Sequence, residues 1–216
     1  MLNLRTFGGL SVERDGARCT GASAQRKTLA LLALLAAHPR GLSRDKLAAY
    51  LWPESDAERA RQLLKQACYA LRRDLAEPRL FLGATELRLN PDVVTSDVQV
   101  FEEALRAGDY AGAATACSAP FLDGFYLNGG EEFERWVEDE RVHLAKQARD
   151  ALESLATAAT ASGDARAAAG WWHRLTALDP LSSQAAVGLP LESIDPVREA
   201  SITVGNSCAS SAPNRC

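Results

Sequence analysis

Apolar residues recur at helical spacing on both sides of a short polar turn near residue 54. The first helix begins after Ser43, a preferred N-cap residue, and Pro53 stops it. The second begins after Asp56 and continues to Leu75. The apolar positions are Leu47, Ala48, Leu51 and Trp52 in the first helix, then Ala60, Leu64, Ala67, Cys68, Leu71 and Leu75 in the second.

The polar face of the second helix presents amides, a phenol and cations but no carboxylate. Its members are Gln62, Lys65, Gln66, Tyr69 and Arg73, with Arg61 and Arg72 on the flank. A short-linked helix pair with such a face is what binding in the major groove of DNA requires. A basic outer face also arises by chance on a solvated helix, so this alternative stays open.

β-Rich segments flank these helices. Residues 2–19 partly alternate in polarity and contain Asp15-Gly16, a strong hairpin-turn pair, so they are predicted to form strands. A helix is expected from about Ala24 to His38. After Pro78 the pattern predicts a second hairpin that turns near Gly83 and Ala84, and residues 90–97 are expected to be a linker.

The second half is predicted to be helical. One helical hairpin turns at Gly108-Asp109, and a long helix turns at Gly163-Asp164 into another that stops at Pro180. A helix pair with a Gly-Asp turn, small alanines and a terminal proline is typical of tetratricopeptide-like repeats. Residues 190–216 are rich in Ser, Pro, Asn and Cys without an apolar period, so we expect them either to be disordered or to be an altered carboxyl end of a longer protein.

The net charge of −4 is divided unevenly along the chain. Residues 1–90 hold 15 Lys and Arg against 9 Asp and Glu, whereas residues 91–190 hold 7 against 16. This division favours nucleic-acid binding by the first half alone. The five cysteines show no paired metal-ligand spacing, and no segment resembles a signal peptide or a membrane span. We therefore expect a cytoplasmic protein with reduced thiols, no metal, no cofactor and no membrane partner.

The pieces FGGLSVERDG, QRKTLALLALLAAHPRGLSRDKLAAYLWP and ALRRDL resemble the Streptomyces antibiotic regulatory protein family. The resemblance implies a mainly α fold with small β elements. Residues 1–92 would form an OmpR/PhoB-type winged helix-turn-helix domain. Residues 97–189 would form a bacterial transcriptional activator domain, an all-α tetratricopeptide-like unit that is apparently truncated. It also implies a sequence-specific activator that binds repeated sites in double-stranded DNA and contacts RNA polymerase through the turn at residues 53–56. A homodimer is a further expectation.

Within this scheme the second helix of the pair would lie in the major groove. Gln62 and Gln66 offer amides to adenine, Lys65 a donor to guanine, and Tyr69 a surface for a thymine methyl or a phosphate. The expected phosphate contacts are Lys27, Arg44, Lys46, Arg59, Arg61, Arg72, Arg73, Arg79 and Arg88. Each of these is otherwise a solvated surface cation.

The remaining aromatic and acidic residues give weaker indications of function. Trp52 is expected in the core. The aromatic residues of the second half are expected to fill grooves between helices: Phe121, Phe125, Tyr126, Trp136, Trp171 and Trp172. An acidic run is expected to be a solvated helix face directed away from DNA: Glu131, Glu132, Glu134, Glu138, Asp139 and Glu140. No nucleophile, phosphate-loop or dinucleotide motif predicts catalysis, so we expect no enzyme. The alternative is a helical-repeat interaction module whose winged helix is structural or binds protein.

Overall fold

A computed structural model describes residues 1–21 and 25–178. The fold is mainly helical with two small sheets. The elements of the first half are β1 (Leu2–Arg5), β2 (Ser11–Arg14), β3 (Ala17–Arg18), α1 (Arg26–Ala36), β4 (Leu42–Ser43), α2 (Arg44–Leu51), α3 (Ala57–Asp74), β5 (Phe81–Leu82) and β6 (Glu86–Leu89). Those that follow are β7 (Val94–Ser96), α4 (Asp97–Ala107), α5 (Tyr110–Ala116), α6 (Glu131–Ala161) and α7 (Ala165–Leu178). The expected disordered segment, residues 190–216, and the stop at Pro180 lie outside the described residues.

The first sheet has the strand order β3-β2-β1-β7. β1 and β2 are antiparallel, whereas β7 pairs with β1 in parallel, with Leu2 opposite Val94 and Leu4 opposite Ser96. The prediction that residues 90–97 form a linker is therefore wrong at β7. Three residues are too short to show an alternating pattern, and the partner strand lies about ninety residues earlier in the chain.

The three helices of the first half are set by local signals that the sequence displays. The Ser43 hydroxyl accepts from the Lys46 amide at 3.3 Å, and the Asp56 carboxylate accepts from the Arg59 amide at 2.8 Å. Both predicted N-caps are confirmed. α1 is buried from residue 28 to residue 36, so it forms the centre around which α2 and α3 pack. Trp52 and Cys68 lie in this core, as expected.

The second half consists of two helical hairpins joined by residues 117–130. Gly108 ends α4 in the left-handed conformation with φ of 73°, which confirms the predicted turn there. α6 and α7 pack along each other and turn at Gly163. α6 spans 31 residues, much longer than α7. It therefore reaches beyond its own hairpin to the first half of the chain.

Aromatic side chains join the two halves. The Trp136 ring of α6 lies with its centroid 5.9 Å from that of His38, 6.4 Å from that of Tyr50 and 5.9 Å from that of Phe121. A single hydrophobic core runs from β1 and α1 into α4 and α6. The expectation that aromatic residues fill grooves between helices holds except at Tyr126, which is exposed; Phe121, Phe125 and Trp172 are buried, and Trp136 and Trp171 are half-buried.

Protonation of His38 is expected to destabilise the junction of the two halves. Burial lowers the pKa of His38 and Lys46 lowers it further, although the Leu34 carbonyl, 2.7 Å from Nδ1, opposes them. The unfolded chain, whose histidine has its ordinary pKa, then binds more protons than the folded chain. The free energy of unfolding therefore falls as the pH drops through about 6.5.

Urea denaturation at pH 7.5 and pH 5.5 measures this effect. We expect the acid-induced loss of stability to be smaller in His38→Gln than in the wild-type chain. His173→Gln is the control because His173 is exposed on α7. Equal acid-induced losses in the wild type and His38→Gln would contradict the role of His38.

Candidate nucleic-acid interface

The four predicted base-contacting residues share one exposed side of α3. Gln62, Lys65, Gln66 and Tyr69 are all exposed, and Tyr69 retains 67% of its accessible surface. The opposite side of the helix is buried; Leu64, for example, is 1% exposed. The structure thus places together the side chains that the sequence grouped by spacing.

The predicted phosphate contacts fall into three groups. The first consists of cations that are exposed and form no ion pair with another described residue. These are Lys46, Arg59, Arg79 and Arg88. The Lys46 ammonium also lies 5.9 Å from the centre of the Tyr50 ring on the same helix. This group is available to an anionic partner without the loss of an ion pair to a described residue.

The second group already has acidic partners. Arg61 donates to Asp45 of α2 from Nε at 2.6 Å and from Nη2 at 3.1 Å. Its guanidinium lowers the pKa of the Asp45 carboxyl. Arg73 pairs with Asp74 at 2.9 Å, and Lys27 pairs with Glu54 at 3.9 Å. The partners of Arg61 and Lys27 are on other elements, so helical spacing within α3 or α1 gives no sign of them.

The third group contacts the β5–β6 hairpin. Arg44 Nε donates to the Ala84 carbonyl at 2.8 Å, and Nη2 lies 3.5 Å from the Gly83 carbonyl oxygen. The Arg72 guanidinium lies 5.4 Å from the centre of the Phe81 ring. These two arginines both line a cavity of about 620 Å³ between the start of α2, α3 and the hairpin turn. The lining residues are Ser43, Arg44, Asp45, Arg61, Leu64, Lys65, Cys68, Arg72 and Thr85.

The turn of the hairpin depends on Gly83. Gly83 has a φ of +92°, and a Cβ atom built there would lie 1.9 Å from the Glu86 carbonyl oxygen. Gly83→Ala is therefore expected to destabilise the chain by about 2 kcal/mol or more, since both the backbone conformation and the contact become unfavourable. Urea denaturation measures the change.

The matched control for Gly83→Ala is Gly16→Ala. Gly16 has a φ of +81° in the β2–β3 turn, but a Cβ atom there would meet nothing within 4 Å. Gly16→Ala should lower the free energy of unfolding by only about 1 kcal/mol. Equal costs for the two variants would show that the contact with Glu86 is relieved without penalty.

The acidic start of α6 lies closer to the helix pair than the sequence suggests. Glu131, Glu132, Glu138 and Asp139 are exposed, which fits the expected solvated face. Glu134 instead accepts from the Leu127 amide at 2.5 Å, and burial raises the pKa of Glu140. Glu132 lines a groove of about 470 Å³ together with Trp52, Pro53 and Arg61. Carboxylates therefore border the α2–α3 turn.

Other kinds of site find no support in the part of the chain that the structure describes. Within residues 1–21 and 25–178, no group of three or more His, Cys, Asp or Glu residues is arranged to hold a metal ion. Cys19, Cys68 and Cys117 are free thiols. Burial raises the pKa of Cys117 to about 11, so its thiol stays protonated at neutral pH. None of the described helices is long and apolar enough to cross a membrane.

Comparison with known proteins concerns the second half of the chain. No curated protein matches the sequence. A family model, that of the bacterial transcriptional activator domain, matches residues 92–189. The matched range includes β7 and α4 to α7. Residues 92–189 are therefore a bacterial transcriptional activator domain, and this domain supports a role for the chain in the regulation of transcription.

Proposed function

We propose that this chain is a sequence-specific, DNA-binding regulator of transcription, and that it acts as an activator. The observation that carries the proposal is the exposed side of α3 with Gln62, Lys65, Gln66 and Tyr69, directly followed in the chain by a bacterial transcriptional activator domain. Amide, ammonium and phenol groups on one helix side are the groups that distinguish base edges in the major groove. Residues 1–92 then act as a winged helix-turn-helix unit, with the β5–β6 hairpin as the wing.

Electrostatics support the same orientation. The exposed cations Lys46, Arg59, Arg79 and Arg88 belong to α2, α3 and the neighbourhood of the hairpin, all in the basic half of the chain. The acidic residues of α6 would be repelled by phosphates. We infer that α3 faces the duplex and that most of α6 faces solvent or protein partners.

The partners follow from this arrangement. The turn at residues 53–56 is exposed at Pro53 and Glu54, and RNA polymerase is the partner proposed for it. Repeated DNA sites and a homodimer are proposed together, because two copies of the chain would bind two half-sites. A regulator of this kind works in the cytoplasm, where bacterial DNA and RNA polymerase are found.

The test is selection of duplex DNA from a random pool by the full chain, followed by sequencing of the retained duplexes. The proposal predicts one enriched sequence, present as a direct or inverted repeat. The affinity should fall steeply with salt, since several phosphate contacts release counterions. Salt-independent binding, or no binding, would favour the interaction-module alternative.

Gln66→Ala is expected to relax the preference for a single base pair at a cost of about 1–3 kcal/mol in the selected site. Gln66 is exposed on α3, so the fold should not change. A repeat of the selection with this variant measures the preference, and Lys146→Ala on α6 is the control for an exposed site outside α3. An unchanged selected sequence would remove Gln66 from the set of base contacts.

A further inference from the structure

The β5–β6 hairpin is attached to α2 by backbone and side-chain contacts. β4, which immediately precedes α2, pairs with β6 through Leu42 opposite Leu87 and Ser43 opposite Glu86. Arg44, the first residue of α2, then donates from Nε to the Ala84 carbonyl at 2.8 Å and approaches the Gly83 carbonyl oxygen at 3.5 Å. The planar guanidinium thus spans the turn at the point where the two strands reverse.

A second arginine attaches the hairpin to α3. Arg72 lies on the flank of α3 and is half-buried, with its guanidinium 5.4 Å from the centre of the Phe81 ring of β5. Phe81 is itself buried, so the pair is shielded from water on the ring side. The Nε atom of Arg72 is buried and has no hydrogen-bond partner among residues 1–21 and 25–178. One face of the Arg72 guanidinium therefore packs on the Phe81 ring of the hairpin.

The two attachments come from different helices, Arg44 from α2 and Arg72 from α3. Arg44 and Arg72 both line the cavity of about 620 Å³ that separates these elements. Neither arginine forms an ion pair with a described acidic residue, whereas their neighbour Arg61 does. Their contacts therefore fix distances between elements and neutralise no carboxylate.

We propose that Arg44 and Arg72 are positioning residues that hold the hairpin at a set distance from α3, in place of the phosphate contacts expected from the sequence. The inference rests on the proposed function for its consequence in DNA binding. Because the hairpin is held in place, Arg88 of β6 and the exposed side of α3 contact the same DNA duplex at a fixed distance from each other. The two arginines then determine which flanking positions of the DNA site are contacted.

The first experiment needs no DNA. Hydrogen exchange of the full chain is measured for the wild type and for Arg44→Lys, Arg72→Lys and Arg73→Lys. Each substitution keeps the charge but replaces the planar guanidinium by an ammonium group. We expect amide exchange at residues 82–87 to accelerate about tenfold in the first two variants, which corresponds to about 1.4 kcal/mol of local opening. Arg73→Lys is the control, because Arg73 is exposed and paired with Asp74. This variant should leave amide exchange at residues 82–87 unchanged.

The second experiment uses the duplex selected by the wild-type chain. Arg44→Lys should weaken binding about tenfold without changing the slope of log affinity against log salt. Arg88→Ala should reduce that slope by about one, as expected for the loss of one phosphate contact. Loss of flanking-base enrichment in a selection with Arg44→Lys would further support the positioning role.

Two results would overturn the inference. Unchanged exchange at residues 82–87 in both Arg44→Lys and Arg72→Lys would show that the hairpin does not depend on them. The second result concerns two variants of Arg44. If Arg44→Ala reduces the slope of log affinity against log salt while Arg44→Lys binds like the wild type, Arg44 is a phosphate contact. A wild-type chain that bound no duplex would instead overturn the proposed function, and the exchange experiment would still decide the positioning role.

Discussion

Asp97→Ala is expected to lower the free energy of unfolding by about 3–5 kcal/mol, because it leaves buried donors without an acceptor. The Asp97 carboxylate accepts from the Thr6 amide at 2.8 and 2.9 Å, from the Thr6 hydroxyl at 2.5 Å and from the Phe7 amide at 2.9 Å. Thr6 is fully buried and Phe7 is 2% exposed, so both donors have little access to bulk water. Asp97 is also the first residue of α4, where the helix dipole favours a negative charge.

Urea denaturation followed by far-UV circular dichroism measures the effect of Asp97→Ala. Asp92→Ala is the matched control, because Asp92 is exposed and its carboxylate accepts no hydrogen bond from a described residue, whereas its backbone amide donates to Asn90. Asp97→Asn, which keeps one carbonyl oxygen as an acceptor, should lie between the control and the alanine variant. An Asp97→Ala variant within about 1 kcal/mol of the wild type would show that the β1–β2 connection relaxes to find other partners.

This carboxylate also shows why the two halves act as one folded unit. Asp97 begins the helices of the activator domain but binds the connection that follows β1. The segment after α5 then returns to the same connection, where the Leu122 amide donates to the Thr6 carbonyl at 2.7 Å and the Gly8 amide to the Pro120 carbonyl at 3.0 Å. Side-chain and backbone hydrogen bonds therefore join the connection after β1 to the start of α4 and to the segment after α5.

The sequence predicted the elements whose signals are local. Caps at Ser43 and Asp56 and the glycine turn at Gly108 each depend on a few neighbouring residues, and all appear where expected. The hairpin after Pro78 was likewise specified by its own alternating pattern and turn. Local conformation and burial at these positions follow from spacing alone.

What the sequence did not predict depends on partners that are distant in the chain. β7 is a strand only because β1 is beside it, and its three residues carry no period of their own. Arg44, Arg61 and Arg72 look like surface cations in the sequence, but each has a partner on another element. Helical spacing predicts the exposed side of α3, whereas the contacts at its edge depend on the tertiary fold.

Lys65→Glu is expected to reduce affinity for the selected duplex by 100-fold or more, about 2.7 kcal/mol. Lys65 is exposed on the proposed base-reading side of α3 and also lines the cavity beside Arg72. A carboxylate there would face the phosphates and the acceptor edges of guanine, so attraction becomes repulsion. Because Lys65 forms no ion pair with a described residue, its replacement should leave the thermal midpoint of unfolding nearly unchanged.

Lys146→Glu makes the same change in net charge at an exposed position of α6. It should reduce affinity less than threefold, since Lys146 lies in the acidic half of the chain. Fluorescence anisotropy with the labelled duplex at fixed salt compares the two variants. Equal losses would mean that overall charge governs binding, and the assignment of α3 to the major groove would then fail. A large loss confined to Lys65→Glu would locate the interaction on this side of α3, because the two proteins differ only in where the charge is reversed.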